Sequence, residues 1–341
     1  VTTAAVTPAA EGFAMPAEWN PHDACLMMWP CRSELWDTWL DAAKEDYATT
    51  ARAIAAFEPV FMVCNPGQAS EVRRYCGAGT EPLELPIDDS WARDCGPIFL
   101  AHTETAAPAV VNFRFNAWGN RWHPYDSDDL LPARVAEHFG VRRFDAPLVL
   151  EGGAFLVDGT GTVFTTEQCL LNPNRNPELS RAQIERSFRD HLGVRTVVWL
   201  PYGHSTDDGP AGTDGHIDGI AQVLAPGRVL LELPSDPASP EYERSRENLK
   251  ALRAATTADG APIEVVALDV PAEAEAAYAN HYLANGAAIV PVTGQRHDAE
   301  VLTALAGLYP DREVVPVPGK TLAFGGGGPH CVTQQIPSGV L

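Results

Sequence analysis

Cys331 closes the segment Gly325-Gly326-Gly327-Gly328-Pro329-His330-Cys331, ten residues before the last one. Four consecutive glycines permit backbone conformations that a side chain would forbid, and they deliver one thiol at a bend. Cysteine is the strongest nucleophile among the side chains once a base takes its proton or its surroundings lower its pKa. Three segments upstream could supply those surroundings: Trp91-Ala92-Arg93-Asp94-Cys95-Gly96-Pro97, Leu150-Glu151-Gly152-Gly153 and Asp214-Gly215-His216-Ile217-Asp218-Gly219. Glycine beside an acid or a histidine marks a strand end or tight turn, where a side chain is presented rather than packed. The set reads as a nucleophile, Cys331, a proton carrier, His216, and the carboxylates Asp94, Asp218 and Glu151. Each residue alone has a plainer reading: a buried inert thiol, a core histidine, an Asp94–Arg93 ion pair, a turn-capping Glu151. The set could also be read as a zinc site of His216, Asp218 and Cys331, but structural zinc sites use more sulfur and nitrogen ligands at regular spacing, so no metal is expected. His330, next to the nucleophile, should project away from it on extended backbone.

These motifs, in this order, carry a resemblance to the agmatine deiminases of the guanidine-modifying (pentein) superfamily, which are peptidylarginine-deiminase-like. It runs over nearly the whole chain, through Met15-Pro16-Ala17-Glu18-Trp19, Met28-Trp29-Pro30-Cys31-Arg32, Asp88-Asp89-Ser90-Trp91 and Phe113 to Gly119. It continues through Leu170-Leu171-Asn172-Pro173-Asn174-Arg175-Asn176-Pro177, the His216 motif, Asn280 to Pro291 and the Cys331 motif. The resemblance implies an α/β fold, a five-bladed propeller of ββαβ units with pseudo-fivefold symmetry and the active site at its centre. It also implies hydrolysis of the guanidinium of agmatine to N-carbamoylputrescine and ammonia, with no metal and no organic cofactor.

The residues suit that chemistry. A guanidinium is planar, cationic and resonance-stabilised, so its carbon is a poor electrophile. Two aspartates match its N–H fork by charge-assisted hydrogen bonds. Asp94 and Asp218 would clamp the cation, Cys331 would attack the carbon, and His216 would protonate the leaving ammonia and then activate water. Glu151 would accept a hydrogen bond from His216 and favour the imidazolium. Trp91 and Trp118 would either line the alkyl part of the substrate or pack in the core, and Gly328 is a candidate contact beside the substrate. The terminal amine of agmatine calls for a further acid, with Asp89, Asp208 and Asp214 as candidates. Pro329 stands where the family carries a β-branched residue and removes an N–H from the nucleophile loop. Rival readings are a deiminase of another guanidino compound, an amidinotransferase, and a non-catalytic binding module of the same fold. The full Cys331, His216, Asp94, Asp218 set speaks against the last.

Composition narrows the partners. The 341 residues carry a formal net charge of -21, which opposes binding to nucleic acid phosphates and suits a small cationic substrate through long-range steering. Seven scattered cysteines without a Cys-x-x-Cys pair fit a reducing cytoplasm rather than a disulfide scaffold. No apolar run approaches the roughly 20 residues that span a bilayer. A homo-oligomer is allowed by the sequence without being required.

The elements that must position these residues alternate along the chain. Short β-branched runs such as Val60–Cys64, Ala109–Phe113, Thr196–Trp199, Val229–Leu231 and Ala287–Val290 read as strands. Ser33–Ala56, Glu178–Leu192, Pro240–Ala255 and Ala299–Tyr309 read as helices. Without a Pro/Ser-rich linker, residues 13–341 are expected to form one catalytic domain behind a flexible lead-in of residues 1–12. The stretch Tyr202–Thr213, rich in Gly, Ser and Asp, reads as a loop over the site.

Overall fold

The computed structural model describes residues 6–209 and 212–341. Its strands form five small mixed sheets. In four of them a short strand runs antiparallel to the next, and a helix then crosses to a third, parallel strand. The crossover helices are Leu131–His138, Arg181–Leu192, Tyr242–Ala254 and Asp298–Leu308. Parallel neighbours need such a crossover because a tight turn can only reverse the chain.

The fifth sheet has the same plan but is assembled from both ends of the chain. Thr333–Pro337 runs antiparallel to His22–Met28, which pairs parallel with Val60–Cys64 after the crossover helix Leu40–Ala55, and Thr80–Glu84 extends the edge. Backbone amides of Gly339, Val340 and Leu341 converge on the Asp23 carboxylate. His22–Met28 is buried almost throughout, as a central strand covered on both faces should be.

Several elements depart from the expected ones. The long helix expected over Ser33–Ala56 is three pieces: Ser33–Trp36, a 3-10 turn Asp37–Trp39, and Leu40–Ala55. The break falls at Asp37, whose φ of 43° lies outside right-handed helix. Helices Ala69–Cys76 and Leu131–His138 and strands Thr80–Glu84, Tyr282–Ala284 and Thr333–Pro337 are additions to the sequence reading. In the span expected as a lead-in, Ala9–Glu11 form a 3-10 turn and Glu11 pairs with Arg142; residues 1–5 lie outside the described residues. Among the described residues no helix is long and apolar enough to cross a membrane.

Candidate active site

In each sheet the strand that opens the antiparallel-then-parallel unit is preceded, within two to four residues, by a residue of the site. Asp94 precedes Ile98, Gly153 precedes Phe155, Asp218 precedes Ala221, Asn280 precedes Tyr282 and Cys331 precedes Thr333. Equivalent positions of repeated units thus supply different groups to one site. Asp94, His216, Asp218 and Cys331 are all buried, and the last three line a cavity of about 410 Å³.

Gly153 makes the cluster possible. A Cβ on this residue would lie 2.7 Å from Asp94 Oδ1, 2.7 Å from His216 Nδ1 and 2.9 Å from Asp218 Oδ2, closer than real Cβ contacts come. The three polar groups therefore close over a position where any side chain would force them to shift. The Gly153 amide also donates to Asp94 Oδ1 at 3.0 Å, and Trp118 Nε1 donates to Asp94 Oδ2 at 2.9 Å. Trp118 reaches Asp94 from an unusual turn in which Ala117, Trp118, Gly119 and Asn120 all have positive φ. Such backbone costs energy for residues with a Cβ and persists where its surroundings enforce it. Here Trp118 also packs edge-on to Phe115 at 5.1 Å.

Cys331 Sγ lies 3.6 Å from Asp218 Oδ2 and 3.1 Å from Asn280 Nδ2. Asn280 also accepts from the Cys331 amide through Oδ1 at 3.3 Å and donates to the Asp218 carbonyl at 3.2 Å. The expected disturbance at Pro329 is absent from these bonds. The amides that tie the loop to Asn280 belong to His330 and Cys331, so a missing N–H at Pro329 removes neither. Trp91 stacks against Trp36 at 5.9 Å. A Cβ on Gly327 would meet the Trp91 ring at 2.5 Å and Cys331 Cβ at 2.8 Å, so Trp91 backs the nucleophile loop. Gly328 lines the cavity.

The electrostatics divide the acids by partner. Burial works to raise Asp218, but the hydrogen bond and charge of His330 outweigh it and hold the carboxyl below its ordinary value. Burial raises Asp94, with the His216 charge opposing and the Asp218 charge assisting. His330 uses both ring nitrogens, Nδ1 at 2.7 Å from Asp218 and Nε2 at 2.9 Å from Glu18. It therefore stands behind the clamp rather than facing the cavity. His216 is held well above its ordinary pKa against burial, chiefly by the Asp94 charge. Burial and the charges of Asp218 and Asp94 push the Cys331 thiol well up, while the Gly328 amide and Asn280 oppose this.

Some expected partnerships differ. Glu151 was expected to accept a hydrogen bond from His216, yet its Oε2 is 3.9 Å from His216 Nε2, beyond hydrogen-bond distance. It acts as a nearby charge, its pKa lowered to about 2 against burial mainly by Arg175, whose Nε donates to Glu151 Oε1 at 2.6 Å. Asp89 lies outside the cavity lining, fully buried against Arg32, 2.7 Å away. Asp214 is likewise taken up, by Arg121, Arg175 and Asn174. Asp208 pairs with Arg244. The cue for all three was an arginine distant in sequence. Trp91 and Trp118 hold the nucleophile loop and Asp94 in place rather than lining the cavity. Asn280 and Gly153 are the site residues that the sequence reading left without a role.

Glu151, Cys169 and His216 each offer a ligand atom within 4.8 Å of one another. Arg175 already occupies one Glu151 oxygen, and the Arg175 charge so close makes this a poor seat for a metal cation.

The family model of the Porphyromonas-type peptidyl-arginine deiminases matches residues 14–337. An agmatine deiminase of Pseudomonas putida is 40% identical, with 98% of this chain and 98% of that protein covered. The solved agmatine deiminase of Enterococcus faecalis superposes with a TM-score of 0.92 at 34% identity over 98% of both chains. The fold likeness extends to the agmatine deiminase of C. jejuni, with a TM-score of 0.84 at 23% identity over 95% of this chain and 96% of that one.

Proposed function

The chain belongs to the Porphyromonas-type peptidyl-arginine deiminase family, and from that premise we propose that it is a hydrolase of linear amidines that converts agmatine to N-carbamoylputrescine and ammonia. The observation that carries the reading is the meeting of Asp94, His216 and Asp218 over Gly153, with Cys331 Sγ 3.6 Å from Asp218. Agmatine enters as the substrate because the 40% identical Pseudomonas relative bears that activity in its name.

In this reading Asp94 and Asp218 accept hydrogen bonds from the guanidinium N–H groups. The two carboxylates that hold the thiol neutral in the free enzyme then face a cation. With their field offset, Cys331 gives up its proton to solvent water as substrate arrives, and the thiolate attacks the guanidinium carbon. The tetrahedral adduct collapses as the His216 imidazolium protonates the leaving nitrogen, releasing ammonia and leaving a cationic thiouronium on Sγ. Neutral His216 takes a proton from water, which attacks the same carbon. The C–S bond breaks as the remaining O–H proton passes to the departing sulfur, giving the ureido product and returning the Cys331 thiol, with His216 again protonated. Glu151 keeps positive charge on His216, and Asn280 stabilises sulfur anion by its N–H.

The five ββαβ sheets are read here as the blades of a pseudo-fivefold propeller, with residues 13–341 as one catalytic domain. That arrangement would account for one site residue preceding the strand that opens each antiparallel-then-parallel unit. The seven free thiols support a cytoplasmic enzyme.

The test is ammonia release by the purified protein with agmatine, arginine, 4-guanidinobutyrate and methylated arginines. Turnover of agmatine is expected, with a Cys331 adduct trapped by acid quench and turnover abolished in Cys331→Ser. Release from arginine alone would overturn the agmatine assignment, and near-normal turnover by Cys331→Ser would overturn the mechanism.

A further inference from the structure

The cavity that contains Cys331 is lined by three acids, Asp207, Asp218 and Glu275, and among the described residues by no lysine or arginine. Two of the acids are engaged. Asp218 is held by His330 at 2.7 Å, and Glu275 pairs with Lys320 at 3.0 Å. Asp207 has no lysine or arginine partner among the described residues; the charges that act on it are those of His216, His204 and Asp218. Burial lifts its carboxyl to about 6, with the two histidines opposing, so at neutral pH it is an anion in want of a cation.

Its position is fixed from both sides. The Asp207 amide donates to the His204 carbonyl at 3.1 Å, and its carbonyl accepts from the Asp214 amide at 3.3 Å. Asp214 is in turn held by Arg175, and the next residue, Asp208, is held by Arg244 and Gln168. The rest of the lining is largely small and apolar, including Ala277, Ala323 and the ring of Phe324, which is 59% exposed. The cavity thus combines a buried anionic clamp, apolar walls and a separate carboxylate.

We propose that Asp207 binds a primary ammonium at the far end of the substrate's alkyl chain, making the cavity a site for a dication. The guanidinium lies in the clamp, the methylenes run along Ala277, Ala323 and Phe324, and the ammonium meets Asp207. The proposal rests on the guanidine-hydrolase reading above and names the group that selects the tail. It also disfavours a guanidino acid without an ammonium, whose carboxylate would face Asp207 with no lysine or arginine among the described lining residues to offset it.

The experiment is calorimetric titration of a Cys331→Ser protein, which cannot turn over, with agmatine, butylguanidine and 4-guanidinobutyrate. Agmatine is expected to bind more tightly than either. Adding Asp207→Asn, which keeps the shape, should weaken agmatine about 10- to 100-fold, the size of a lost charge-assisted bond, and leave butylguanidine unchanged. Equal affinity for agmatine and butylguanidine, or an Asp207→Asn effect shared by both, would overturn the Asp207 assignment while leaving the guanidine reading intact. Failure of every guanidine to bind would overturn both. Near-ultraviolet circular dichroism of the double variant checks that the site is folded.

Discussion

Asn280 holds Cys331 at two points: its Nδ2 lies 3.1 Å from Sγ and its Oδ1 3.3 Å from the Cys331 amide. The amide side chain therefore fixes the thiol's direction and supplies one of the few contacts that favour the thiolate, against burial and two carboxylates. Asn280→Ala should slow inactivation by iodoacetamide and move its pH dependence to higher pH. Activity should fall about 10- to 100-fold, the cost of one hydrogen bond to a charged group. An alkylation profile identical to wild type would show that Asn280 only packs.

Gly153→Ala should separate activity from stability. The added methyl meets Asp94, His216 and Asp218 at under 3 Å, and all three must move. Displacements near 1 Å at reacting groups cost on the order of 100-fold in rate, so kcat/KM should drop at least that far. The fold, built from five separate sheets, should keep most of its thermal stability. A variant with wild-type kcat/KM would mean that the cluster is looser than its distances indicate.

Activity should be bell-shaped in pH, since a thiolate at Cys331 must coexist with protonated His216. The pKa of His216 is raised by Asp94 first, then by Cys169 and Glu151. Removing the Glu151 charge in Glu151→Gln lowers that pKa, so the alkaline limb of kcat/KM should move to lower pH and the acid limb should stay. An unmoved alkaline limb would assign the support of His216 to Asp94 and Cys169.

Acid stability should depend on Glu18 and Glu151. Burial opposes ionisation of both, but His330 overcomes it at Glu18 and Arg175 at Glu151, so each is lowered to about 2. A carboxyl whose pKa is lower in the folded chain adds stability above its unfolded pKa, near 4.5, and loses it as pH falls toward 2. Each contributes on the order of 3 kcal/mol. Thermal melts from pH 6 to pH 2 should show Tm falling most steeply below 4.5, and less steeply in Glu18→Gln. A slope unaltered in that variant would remove Glu18 from the account.

The contrast between Asp218 and Asp89 shows what the sequence can convey about this site. Both are aspartates beside a small residue in a recognisable motif. Asp218 lies between glycine-flanked turns and reaches the cavity, as expected. Asp89 is captured by Arg32, a pairing made by folding across 57 positions. Asp214 and Asp208 met the same fate through Arg175 and Arg244. Gly153 and Asn280, though part of recognisable motifs, carry no evident role in the sequence for the opposite reason. One contributes the lack of a side chain and the other an uncharged amide, and neither looks reactive. The strand Thr333–Pro337 was hidden by Gln334 and Gln335, polar yet buried, with Arg93 donating to Gln335 at 2.7 Å. The alternation of strands and helices was visible because β-branched runs and helical spacing are local. The shared antiparallel-then-parallel plan of the sheets was not visible, because pairing partners are set by tertiary contact.

The pairing of Thr333–Pro337 with His22–Met28 has a consequence for how the protein comes into being. Cys25 meets Gln335, so an emerging chain must carry the almost wholly buried strand His22–Met28 with one edge open, the other being paired by Val60–Cys64, until residues 333–337 are made. Contacts so distant in sequence form slowly, and an open strand edge invites pairing with other chains. Cys331, the proposed nucleophile, sits two residues before the strand that ends this exposure. In that reading a nascent chain can acquire its carboxylates and histidine before its thiol, yet it stays chemically silent until Thr333–Pro337 docks on His22–Met28. Translation that stalls short of that point yields an aggregation hazard rather than a partly active catalyst.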